Sequence, residues 1–124
     1  MKRITTGSPF EKRLGYSRAV VKGDWCFVSG VTGYDYKTMT MPVRAADQAR
    51  NCMATIAGVL DQAGFSTDDI VRVTYILTDA ALLDEVAPVL AAHMGEVAPA
   101  ATMITAGLIR PEMLIEIEVT ALRG

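Results

Sequence analysis

The chain has 124 residues, of which 51% are hydrophobic and 21% charged, with a formal net charge of −2. That length fits a single domain over residues 1–124, and the apolar content suffices for a real core, which excludes a disordered chain. The slight acidic balance offers no general attraction to nucleic acid or anionic lipid, and no stretch reaches the ~18 apolar residues of a membrane span.

The start, Met1-Lys2-Arg3-Ile4-Thr5-Thr6-Gly7, has two basic residues without an apolar run behind them, so no signal peptide is expected. Lys2–Thr5 is a candidate short strand. Residues 17–30 read as two strands around a turn at Lys22-Gly23-Asp24, with β-branched and aromatic residues on either side. Val31 to Pro42, rich in Gly, Thr and Tyr, reads as an ordered loop. Over 43–63, Ala46, Ala49, Met53, Ile56, Leu60 and Ala63 recur at helical spacing, and Gly64 is placed to end the helix. The run Ile70–Leu77 predicts a strand, and Ala80 to His93 a second helix that Pro88 either kinks or restarts. Strands over 101–106 and 113–121 follow, joined across Gly107 to Pro111. The order β-β-α-β-α-β-β predicts an α+β domain, a mainly antiparallel sheet with two helices on one face.

The other face then needs a cover. In the last strand Met113, Ile115, Ile117 and Val119 are assigned to the helices, and Leu114, Glu116, Glu118 and Thr120 point away. A solvated face is one reading of that second set. In 70–77, however, Val71, Val73, Tyr75 and Leu77 oppose Ile70, Arg72, Thr74 and Ile76, and in 101–106 both faces are small or apolar. That pattern favours burial against identical subunits, with polar groups left near a cleft.

Signatures of well-known chemistries are absent: no phosphate-binding Gly-rich loop, no GxSxG, no HExxH. The one histidine, His93, falls late in a helix and reads as structural or exposed, which argues against a His-dependent triad. Cys26 and Cys52 lie far apart in apolar surroundings without metal-ligand spacing. They read as free buried thiols of a reducing, cytoplasmic compartment. Glu116 and Glu118 share a strand face but lack imidazole or further carboxylates, so no metal site is expected. A glutamate in a partly buried cleft suits a general base, because desolvation raises its pKa toward the working range.

Four blocks taken together resemble the reactive-intermediate deaminase family, also called RidA or YjgF. They are Tyr16-Ser17-Arg18-Ala19-Val20, Gly23 to Gly30, Pro99-Ala100-Ala101-Thr102 and Ile115-Glu116-Ile117-Glu118. The resemblance spans nearly the whole chain. It implies a chorismate-mutase-like fold and a homotrimer whose sheets form a central barrel, with small-molecule clefts between subunits. It also implies cofactor-free hydrolysis of imines and enamines such as 2-aminoacrylate. Carried over by position, Glu116 is the catalytic residue, and Tyr16, Ser29 and Gly30 bind the ligand. Ala101, with Met103 beside it on the same strand, is expected to line the cleft.

One residue departs from the pattern. Where the family has an arginine that holds the substrate carboxylate, this chain has Ala101, which marks a divergent branch. Alanine cannot make the bidentate contact, and each hydrogen bond to a charged group is worth ~1.5–3 kcal/mol. A poor fit to 2-imino acids follows unless another cation substitutes. Arg18 is one candidate, on the same side of an extended backbone as Tyr16; the alternative is an exposed strand arginine. Arg72 and Arg110 are weaker candidates. Three functions compete at this point: an imine or enamine hydrolase with altered substrate range, a trimer that binds a metabolite without turning it over, and the endoribonuclease-type activity ascribed to some relatives. The absence of a basic stripe with interleaved aromatics argues against the last. Tyr34 and Tyr36 either rim the cleft or pack in a rigid loop.

Overall fold

Alternating apolar residues build one six-stranded sheet in the computed structural model, which describes all of residues 1–124. The strands are β1 (Lys2–Ile4), β2 (Ala19–Lys22), β3 (Trp25–Thr32), β4 (Ile70–Leu77), β5 (Ala100–Thr105) and β6 (Ile115–Leu122). They lie in the order β1-β2-β3-β6-β4-β5. Every pairing is antiparallel except β4 with β5. That parallel pair needs a crossover, which is supplied by the helix between its strands.

Two long helices cover one face: α2 (Ala45–Ala63) and α3 (Leu83–Met94). From α2, Ala49, Met53, Ile56, Leu60 and Ala63 are buried as the spacing predicts. Ala45, Gln48, Cys52 and Val59 widen that stripe. Gly64, with φ 82°, ends α2 in the left-handed conformation that glycine adopts without strain. The helix α3 runs through Pro88 without a break and is preceded by a 3-10 turn over Ala80–Leu82. Pro88 is exposed.

Facing the helices, β6 contributes Ile115, Ile117, Val119 and Ala121, and Met113 is buried just before it. The alternation in β4 holds for Val73, Tyr75 and Leu77 but fails at its start, where Ile70 is buried and Val71 exposed. The pairing of β4 with β6 shifts between Ile70 and Arg72, and such a bulge exchanges the two faces.

A third helix, α1 (Pro9–Leu14), was not expected. Ser8 caps it by accepting a hydrogen bond from the Phe10 amide, Pro9 fills its first turn, and Gly15 closes it at φ 75°. Six residues carry too few apolar positions for a helical period to show.

The opposite sheet face is open in the single chain. Trp25 and Phe27 stack there with ring centroids 6.0 Å apart, and Val71 and Leu122 are exposed as well. All six residues of the edge strand β5 are exposed. Cys26 and Cys52 are buried free thiols. His93 is exposed, with Nδ1 2.9 Å from the Val89 carbonyl one turn back in α3. No helix is long and apolar enough to cross a membrane, and no group of His, Cys, Asp and Glu is arranged to hold a metal.

Candidate active site

The strand β3 carries the key irregularity. Val28 pairs with Val119 and Val31 with Ile117, so β3 spends one residue more than β6 over this stretch. The extra residue falls at Ser29-Gly30, and a bulge of this kind frees backbone groups from the ladder. The Gly30 carbonyl accepts a hydrogen bond from Arg18 Nη1 at 2.6 Å, and the Ser29 carbonyl a longer one at 3.4 Å. Ser29 Oγ donates to the Ser17 carbonyl at 2.6 Å and its amide to the Arg18 carbonyl at 2.9 Å, tying the bulge to the segment before β2.

A cavity of about 380 Å3 opens over this bulge. Phe10 and Leu14 of α1, Tyr16, Ser29, Gly30, Thr32 and Tyr36 line it, with Ile109, Met113, Glu116 and Glu118 from the other side. The predicted residues Tyr16, Ser29, Gly30 and Glu116 thus meet at one cavity. Tyr36 joins its wall, its hydroxyl accepting from the Thr32 amide at 3.1 Å. Tyr34 instead is buried in the loop, donating to Glu112 at 2.8 Å. Each tyrosine therefore takes one of the two roles the sequence left open.

Arg18 is neither an exposed strand residue nor a wall of the cavity. Its side chain is fully buried. The guanidinium lies with Nε 3.7 Å from a Glu11 carboxylate oxygen and with its carbon 4.9 Å from the centre of the Tyr36 ring and 5.7 Å from that of Tyr16. The expectation that it contacts ligand is corrected accordingly. The Gly30 carbonyl and the Glu11 carboxylate draw it inward, against the Tyr16 and Tyr36 rings. Glu11 is buried on α1 and accepts hydrogen bonds from the Thr5 hydroxyl at 2.7 Å, the Thr6 amide at 3.2 Å and the Thr6 hydroxyl. Burial pushes its pKa up, but these bonds and Arg18 outweigh it, so the carboxyl sits below its ordinary range.

Glu116 has the opposite balance. Burial first, and the neighbouring Glu118 second, push its pKa up, while Arg18 pulls it part of the way back. It accepts no side-chain hydrogen bond from the protein, and the chain's four ion pairs use Glu11, Glu85, Asp47 and Asp24 instead. Its carboxylate rests against Gly30, where a Cβ would lie 2.8 Å from Glu116 Cδ and nearer still to Oε1. Cys52, close by, donates to the Val31 carbonyl at 3.3 Å, and burial pushes its thiol far up, so it is no nucleophile.

Gly30→Ala should therefore separate site from fold. The flexible carboxylate end yields to the new methyl, so stability falls by about 1 kcal/mol, the low end of overpacking. The displaced Glu116 carboxyl should titrate closer to an ordinary glutamate when followed by carbon NMR, and an unchanged titration would contradict the contact.

Ala101 and Met103 do not line this cavity. Both lie on β5, exposed and within the single chain separate from it. Arg72 is exposed on β4, in a shallow depression beyond Glu118, and Arg110 lies over the Phe10 ring at 4.6 Å. Phe10, Leu14, Thr32, Ile109 and Met113 were missed as wall residues. The Ser8-Pro9 start and Gly15 stop would have revealed α1 and with it Phe10 and Leu14.

Comparison with known proteins places the chain in a family. Residues 7–123 match the model of the family described as Endoribonuclease L-PSP. A RutC family protein of Pyrococcus horikoshii is 31% identical over 123 residues, covering 98% of each chain. A crystal structure of a YjgF/YER057c/UK114 family member from Mycobacterium tuberculosis superposes with a TM-score of 0.90 at 35% identity, again over 98% of both chains. E. coli TdcF, solved with bound serine, has a TM-score of 0.81 at 25% identity over 88% of each chain. The chain belongs to the Endoribonuclease L-PSP family, the RidA/YjgF family that its four sequence blocks resemble.

Proposed function

We propose that the chain is the subunit of a cofactor-free hydrolase of small imines or enamines, working in a cleft shared by the subunits of a homotrimer. The observation that carries this reading is Glu116: a half-buried carboxylate with raised pKa, free of ion pairs, opening on a cavity next to a glycine bulge. Such a group is suited to take a proton from water as the oxygen attacks the C=N carbon. It then returns that proton to nitrogen and takes the adduct's hydroxyl proton as the C–N bond breaks, so that a carbonyl remains and the departing ammonia picks up the proton from the carboxyl. Tyr16 and Ser29 bind beside it, and Arg18 holds Gly30 in place from behind. The exposed β5 and the open Trp25–Phe27 face are the surfaces that support assembly, and Ala101 and Met103 would reach the cavity of a neighbouring subunit.

The test is ammonia release from imines generated in situ, by an amino-acid oxidase for 2-imino acids and an amine oxidase for carboxylate-free imines. Acceleration over the spontaneous rate is expected for at least one class, falling 10²–10⁴-fold in Glu116→Gln. No acceleration with either class would end the hydrolase reading. Ala101 in place of the family arginine favours one second reading, a trimer that binds a metabolite without turnover, and Ala101→Arg would then create activity on 2-aminoacrylate. The family's name points to RNA cleavage, but two glutamates and no basic side chain in the cavity would meet a phosphate backbone with like charge.

A further inference from the structure

The charges around the cavity do not balance, and the imbalance specifies a ligand. Two carboxylates, Glu116 and Glu118, stand on its wall two residues apart on one face of β6, and no lysine, arginine or histidine lines it. Two of the nearby cations are already engaged. Arg18 is met by Glu11 and the Gly30 carbonyl, and Arg110 lies over Phe10 beside Glu112. Arg72 lies beyond Glu118, with no ion pair to it within 4.0 Å. The repulsion between the two glutamates helps to hold the Glu116 pKa up. Phe10, Tyr16 and Tyr36 also line the cavity, each already carrying a guanidinium over one face, and aromatic rings attract cations. β5 contains no charged residue at all.

We propose that this cavity selects a small organic cation without a carboxylate, a protonated imine or amine. The proposal rests on the reading of this cavity as the ligand site and narrows its substrate class. A positive nitrogen between Glu116 and Glu118 offsets their mutual repulsion, whereas a carboxylate would add a third negative charge to a partly desolvated wall. In the hydrolytic step the positive C=N group and water become a carbonyl and ammonium, so the charge that bound is the charge that leaves.

Three probes of nearly equal shape test it: choline, its uncharged isostere 3,3-dimethylbutan-1-ol, and the anion 3,3-dimethylbutanoate. NMR titration of the purified oligomer should give choline an affinity about tenfold above the alcohol, with the anion weakest. Glu116→Gln combined with Glu118→Gln should remove the preference for choline over the alcohol. Both substituted side chains are solvent-accessible and outside the buried core, so the double variant should fold. The proposal is overturned if choline shows no preference over its isostere, if the anion binds best, or if the double variant keeps the preference. Imine turnover with an anion preference would spare the hydrolase reading and sink this one. Cation preference without turnover would do the reverse.

Discussion

Arg18→Met is expected to lower stability by about 3–5 kcal/mol, a large part of what holds a domain of this size together. The substitution removes the donor to the Gly30 carbonyl and, above all, leaves Glu11 as a buried carboxylate without its cation. It also removes the guanidinium from the Tyr16 and Tyr36 rings. Urea titration reads the loss directly. The cost lies in breaking the pair rather than in the pair's own net worth, so Arg18→Met with Glu11→Gln should recover part of it. A double variant as unstable as the single one would show that Arg18 acts through the bulge alone. The pair also sets an acid limit. Because the folded-state pKa of Glu11 is depressed, its contribution is present above the unfolded carboxyl range, roughly pH 4, and is lost as pH falls through the lower folded value.

Gly33→Ala is the second large effect, about 3 kcal/mol, at the upper end of overpacking. A Cβ there would stand 2.6 Å from Gln48 Cα, and unlike the carboxylate facing Gly30 this neighbour is helix backbone that cannot swing aside. The helix α2 would have to retreat. Gln48 is buried and ties three segments together: its side chain donates to the carbonyls of Pro42 at 2.8 Å and Glu112 at 2.9 Å, and accepts from the Leu114 amide at 2.9 Å. Asn51 donates to the Gly33 carbonyl at 3.0 Å, so the same retreat strains a fourth contact. The expected result is a melting temperature lowered by roughly 10 °C. A melting temperature within about 2 °C of the unsubstituted protein would mean that α2 and the 33–36 loop can part at little cost.

The contrast between Gly30 and Gly33 shows where sequence reading reaches its limit. Both are glycines in one β-branched, polar stretch, and nothing local tells that one faces a mobile carboxylate and the other a helix axis. The long elements were legible because burial is periodic in them: α2 from its spacing, β6 from its alternation. The helix α1 was not, since its caps fix it rather than an apolar stripe, and its buried residue is Glu11. Missing α1 also hid the position of Arg18. With no acidic partner in view, an arginine beside Tyr16 reads as facing the cleft or the solvent, and the structure places it in neither. Start and end of β4 differ for a similar reason, because a bulge changes which face a residue joins without leaving a mark in composition. In β5 the sequence was informative in another way. Its two apolar faces cannot both be buried by the chain's own helices, and neither is.

The open sheet face has a consequence for how this molecule is observed. Its single tryptophan, Trp25, is partly exposed at the end of β3, stacked on Phe27 and paired across to Lys22 and Leu122. The chain's only indole fluorophore thus watches the open face of the sheet and whatever comes to lie on it. A loosening of the interior between α2, α3 and the sheet that left β2, β3 and β6 paired would pass beneath it without a change in emission.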